Sequence, residues 1–186
     1  MANQSQKGFW PLDQNPDQEL RFIVDAANGT AIFPGDLVSA VAAGAVNAAV
    51  AADANIVVGS VLAIYDSDGI PAGHPNSSLA NKRLPASTAG LVLVALALPG
   101  RRFRCQSATA LTVAALMASS DHVAGAGNTT LNTSGHTLNG GDLNTGGQCF
   151  IVDLYQDPGN AYGANQSLVV IFNESLWMGT GKAVGV

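Results

Sequence analysis

From Asn28 to Phe172 the chain is a succession of short apolar runs, each closed by Gly, Asn, Asp or Pro. The clearest are Asp36–Val41, Ile56–Tyr65, Leu91–Leu96, Gln148–Tyr155 and Ser167–Asn173, built mainly from Ala, Val, Leu and Ile. Runs of this length, alternating or continuously apolar and bounded by turn residues, predict strands of a sandwich or barrel. No helical period of useful length accompanies them. The expected fold is all-β: a single small β-barrel or sandwich with an extended N-terminal arm.

The arm is expected over residues 1–25, the β domain over 26–178 and a frayed, glycine-bearing tail over 179–186. Within the arm, Phe9-Trp10-Pro11 stands out because aromatic residues are only 6% of the chain. Two adjacent large aromatics before a proline suggest an anchor for a partner surface, with Phe9 and Trp10 as contact residues. Asp66-Ser67-Asp68-Gly69 predicts a tight turn, since Asp-Gly supplies the positive φ that hairpin turns require. Residues 71–88 and 119–147, rich in Pro, Gly, Asn, Ser and Thr, read as loops. Periodicity leaves the Ala-rich stretch 47–55 open between strand, loop edge and short helix, and Leu111–Met117 open between helix and strand.

Residue chemistry excludes more than it assigns. Charged residues are only 11% of the chain, against roughly 25% in soluble domains, so a surface covered in an assembly is expected. An Ala-rich core buries little apolar area per residue, which points to stabilisation by self-association. A net charge of −5 argues against bulk nucleic-acid binding, and the absence of a run of about 20 apolar residues argues against a membrane span. The first residues lack the apolar core of a signal peptide, so synthesis in a cytoplasm is expected. Cys105 and Cys149, each inside a strand-like run, are expected to be free, buried thiols.

No catalytic site and no cofactor are expected. His74, His122 and His136 fall in loop-like segments without metal-ligand spacing and are expected at the surface. Asp66-Ser67-Asp68-Gly69 lacks the later ligands of a calcium loop, and no serine has an activating local context. Gly125-Ala126-Gly127 is not completed to a nucleotide fingerprint and precedes no helix. The one charge feature is Arg101, Arg102 and Arg104, three of eight basic residues within four positions. On an extended segment Arg102 and Arg104 share one face while Phe103 and Cys105 share the other. The arginines read either as an edge guard against aggregation or as a docking patch for carboxylates.

The order of motifs is itself informative. Gly8-Phe9-Trp10-Pro11 precedes Ile32-Phe33-Pro34-Gly35-Asp36-Leu37-Val38; then come Val58 through Gly69, Phe103-Arg104-Cys105-Gln106, a polar loop, and a last strand ending Val170-Ile171-Phe172-Asn173. This order resembles capsid cement (decoration) proteins of tailed bacteriophages over most of residues 8–173. The resemblance implies a β-rich protein, often a homotrimer, bound outside an icosahedral shell at junctions of the major capsid protein. It implies no catalytic residues. Where such proteins usually carry an acidic residue between the Phe and the Gln, this chain has Arg104-Cys105. The alternative reading is a virion surface module that binds a host-cell glycan through loops 71–88 and 119–147.

Overall fold

The computed structural model describes residues 7–41, 44–51, 57–144 and 146–178. Two antiparallel sheets pack face to face as a sandwich, and neither closes into a barrel. In chain order the strands are β1 (Trp10–Pro11), β2 (Glu19–Val24), β3 (Leu37–Ala40), β4 (Val46–Ala48), β5 (Val57–Tyr65) and β6 (Gly90–Leu96). They continue as β7 (Arg102–Gln106), β8 (Ser119–Val123), β9 (Thr137–Asn144), β10 (Cys149–Leu154) and β11 (Ser167–Phe172). One sheet has the order β2-β6-β5-β3-β4 and the other β1-β7-β11-β10-β8-β9.

The near-continuous apolar runs of β5 and β6 have a structural cause: their sheet is covered on both faces. Leu37, Val57 and Ala95 point into the core between the sheets, where they meet Phe103, Cys105, Ile151, Leu168 and Val170. Their strand neighbours Val38, Val58, Val94 and Leu96 point the opposite way into a second cluster. Ile32, Leu79 and Leu84 cap that second face. Residues 71–88 thus run as an irregular excursion, as expected, but two of their leucines are core residues. Gly59 sits where β6 approaches closest; a Cβ there would lie 2.0 Å from the Ala95 carbonyl oxygen.

The N-terminal segment is built into the sandwich. β2 pairs with β6 over six residues, and β1 pairs with β7 through Trp10–Arg104 and Pro11–Phe103. Gly8 donates to the His136 carbonyl, Phe9 donates to Gly35, and the Phe9 carbonyl accepts from the Ser60 hydroxyl. Residues 8–24, expected as an arm, thus add one strand to each sheet. The tail expected over 179–186 lies outside the described residues.

Two readings are corrected in the second half. Residues 119–147, expected as loop, contain β8 and β9, which pair from Ser119–Asn144 to Val123–Thr137. Their small polar residues hide the strand pattern, and packed side chains leave no room for a larger residue at Gly140, where a Cβ would lie 2.4 Å from the Ser107 hydroxyl. Leu111–Met117 is neither helix nor strand; only Val113–Ala115 forms a 3-10 turn, ending at Met117 with φ +67°. In the Ala-rich stretch, Val46–Ala48 is a strand, and residues 52–55 lie outside the described set.

Candidate functional site

The expected contact residues separate into distinct environments. Phe9 is fully buried, its ring 5.8 Å from that of Phe172, which in turn meets Phe103 edge-on at 5.0 Å. A phenylalanine committed to its own core is no surface anchor. Trp10 is half-buried; its indole lies over Gly35, whose missing Cβ makes room for it, and its Nε1 donates to the Lys7 carbonyl. Arg101 is also internal, 5% exposed: Nε donates to Asp13 at 2.9 Å, and Nη1 donates to the carbonyls of Gln18 and Leu96. It ties the β6–β7 turn to the segment between β1 and β2.

Arg102 and Arg104 share the outward face of β7, while Phe103 and Cys105 are buried on the inward face. Arg104 lies over the Tyr155 ring at 4.6 Å and donates to the Ser167 hydroxyl. Arg102 is exposed, and among the described residues no ion pair engages it. Of the three, then, Arg102 is the cation left for an outside partner.

A chemically richer place was missed by sequence reasoning. His122 and His136, expected at the surface, are 1% and 3% exposed and stack with centroids 5.5 Å apart. His122 Nδ1 meets Gln148 Oε1 at 2.6 Å, and Gln148 is itself held by its backbone N–H donating to Asp121. Burial pushes the His122 pKa down; Gln148, the nearby Ala49 backbone and Asp121 oppose this only in part. No Nε2 hydrogen bond of normal geometry forms, so this nitrogen is buried without a partner.

Asp36 completes the cluster. It lies in the Phe33–Asp36 turn that launches β3, and its carboxylate accepts from the Phe33 N–H at 2.8 Å and from the Ser134 hydroxyl at 2.5 Å. Burial pushes its pKa up to about 7, against those two hydrogen bonds. His136 Nδ1 accepts from the Leu37 N–H, which places the ring proton on Nε2, 3.8 Å from Asp36 Oδ1. Burial, then the neighbouring His122, lowers the His136 pKa to about 3. The pair is thus neutral through most of the acidic range.

Ser134, His136 and Asp36 do not form a nucleophile–base relay. Ser134 gives its proton to Asp36, and it is the backbone N–H of His136 that donates to Ser134 Oγ. A nucleophilic serine needs the imidazole itself as its acceptor. The thiols of Cys105 and Cys149 are free and buried, and burial pushes both pKa values up, away from reactivity. Asp66 is equally committed. Burial would raise its pKa, but hydrogen bonds from Ile70, Ser78, Ser77 and Asp68 outweigh that and hold it below the usual value. Among the described residues no group of three or more His, Cys, Asp or Glu is placed to hold a metal ion.

Asp36 and His136 form the floor of a cleft of about 470 Å³. Its walls are Gly29–Ala31 and Phe33, Ala48–Val50, and Ala124–Gly127 with Thr129. Two of the glycines there are spatial necessities: a Cβ on Gly127 would lie 2.3 Å from the Phe33 ring, and one on Gly125 2.4 Å from the Gly135 carbonyl oxygen. The arrangement can bind through hydrogen bonds and shape, and the Asp36 carboxyl in its floor is neutral only below about pH 7. No protein-family model, characterised protein or solved structure matches the chain.

Proposed function

We propose that the chain is a virion structural protein, a cement that binds the outer surface of a shell of major capsid protein and stabilises it, as a homotrimer. The observation that carries this reading is the surface. Ile23 (61% exposed), Val113 (65%), Met117 (74%) and Leu131 (68%) stand out on a chain in which only 11% of residues are charged. Large apolar side chains on so weakly charged a surface favour cover by other subunits. The motif order resembling phage decoration proteins supports the same conclusion.

The mechanism is thermodynamic. A protein that binds only the closed lattice stabilises it by its binding free energy, and many copies multiply a modest term per site. In this reading Arg102, with Arg104 beside it, meets carboxylates of the shell, and half-buried Trp10 contributes its exposed edge. Phe9 and Arg101 act indirectly, by holding the first residues against β7.

A glycan-binding module is the rival. Loop 71–88 gives it little support, since Leu79 and Leu84 are buried in the sandwich. The discriminating experiment adds the purified chain to shells of its own phage prepared without it and follows binding by sedimentation and shell melting by calorimetry. Saturation at a fixed stoichiometry with a higher melting temperature is the expected result. A chain that leaves both sedimentation and melting unchanged would remove the proposal.

A further inference from the structure

The cleft above Asp36 and His136 is walled by backbone that has lost its partners. In the β3–β4 ladder the Ala49 N–H donates to Leu37 and the Val41 N–H to Ala45. Antiparallel alternation therefore turns the backbone of Asn47 and Ala49 toward β3 and that of Ala48 and Val50 outward. β4 is the edge of its sheet, so among the described residues no strand is hydrogen-bonded to those outward groups, although β2 also approaches β4. On the opposite wall, Gly125, Ala126 and Gly127 follow the end of β8, and no hydrogen bond to their N–H or C=O groups forms among the described residues. Backbone groups that face an open concavity without a protein partner are free to pair with an incoming strand.

The floor adds a donor. His136 is 3% exposed, its Nδ1 is taken by the Leu37 N–H, and its Nε2–H has no acceptor within hydrogen-bond distance, Asp36 Oδ1 being 3.8 Å away. An N–H without a hydrogen-bond partner on a residue that lines a cleft is a site for a carbonyl oxygen. The volume of about 470 Å³ lies within the range of ligand pockets, roughly 300–1,000 Å³.

We infer that this cleft receives an extended peptide segment of a partner protein, inserted as a strand between Ala48–Val50 and Gly125–Gly127, with one of its carbonyls on His136 Nε2–H. Main-chain hydrogen bonds supply the affinity, as in other strand additions. Walls of Gly and Ala with no free charge select small, uncharged side chains. Rows of backbone donors and acceptors suit a peptide better than a sugar, because a single aromatic ring, Phe33, lines the cleft and it is buried against Gly127. The inference concerns this cleft alone and stands apart from the shell-binding reading.

The test is NMR titration of the full ¹⁵N-labelled chain with a capped Ala-Gly hexapeptide, the same peptide N-methylated at alternate amides, and an uncharged trisaccharide. Saturable shifts at the amides of Val50, Gly125, Ala126 and Gly127 and at the His136 ring are expected with the first peptide. The N-methylated peptide should bind at least about tenfold more weakly. Val50→Trp, at a position 56% exposed, should block the cleft and abolish the shifts while the rest of the spectrum stays folded. Absence of shifts up to about 5 mM peptide, equal binding of both peptides, or binding of the saccharide alone would each overturn the inference.

Discussion

Arg101→Ala should destabilise the fold where Arg102→Ala does not, although the two residues are adjacent and chemically identical. Arg101 makes a charge-assisted bond to Asp13 at 2.9 Å, one to the Gln18 carbonyl at 2.8 Å and a longer one to Leu96 at 3.3 Å. Hydrogen bonds to charged groups contribute roughly 1.5–3 kcal/mol each, but the Asp13 side chain is 51% exposed and rehydrates when its partner leaves. The Gln18 bond and the lost packing over Phe103 therefore dominate, for a total near 3 kcal/mol. In a chain of this size that corresponds to a fall of about 6–12 °C in Tm. Arg102, exposed and unpaired among the described residues, should change stability by less than about 0.5 kcal/mol. Urea unfolding followed by the fluorescence of Trp10 and Trp177 measures both. If the two variants unfold within about 0.5 kcal/mol of each other, Arg101 is not the internal tie described here.

Phe9→Ala should cost about 3–5 kcal/mol by opening a cavity against Phe172, so removing the first residues would impair folding before any attachment; calorimetry of the variant tests this, and an unchanged Tm refutes it. Met117→Gly should stabilise by about 0.5–1 kcal/mol, since it relieves φ +67° at a side chain that is 74% exposed, and a lower urea midpoint would contradict it. The Asp36–His136 pair sets a pH dependence. Asp36, raised from 3.8 to about 7, contributes stability that is whole below about pH 4 and lost as pH rises to about 7. His136, lowered from 6.5 to about 3, contributes stability that is whole above about pH 6.5 and lost as pH falls. The two slopes oppose each other between those limits. Asp36→Asn removes the first, so its stability relative to the parent should rise by about 1.4 kcal/mol per pH unit from pH 4 to 6.5. Parallel curves from urea titrations across that range would show that Asp36 is not protonated in the fold.

Strands with large β-branched and aliphatic residues were legible: Leu37–Ala40, Val57–Tyr65, Gly90–Leu96 and Ser167–Phe172 all fall within or beside runs that pattern alone picks out. So was the alternation on β7, because Arg and Phe differ as strongly as two side chains can. What pattern could not reveal is burial of polar residues by distant partners. His122 and His136 look like loop residues until Gln148 and Leu37 arrive from elsewhere in the chain to engage one nitrogen of each ring, with Asp36 packed beside them. Arg101 was grouped with its neighbours because sequence does not register Asp13 and Gln18 folding back onto it. Phe9 looks like an anchor in the sequence for a related reason: its partner Phe172 lies far along the chain. A signal did exist for the cleft in Gly125-Ala126-Gly127, where alternate glycines mark close approach of neighbouring chain, but only the packing of Phe33 and Gly135 gives it meaning.

The proposal that the chain cements a capsid is tested most simply by its copy number in purified virions, by quantitative mass spectrometry against the major capsid protein. A cement should be present in hundreds of copies per particle, in a fixed ratio to the capsid protein. A count of a few copies, or the absence of the chain from washed virions, would contradict it.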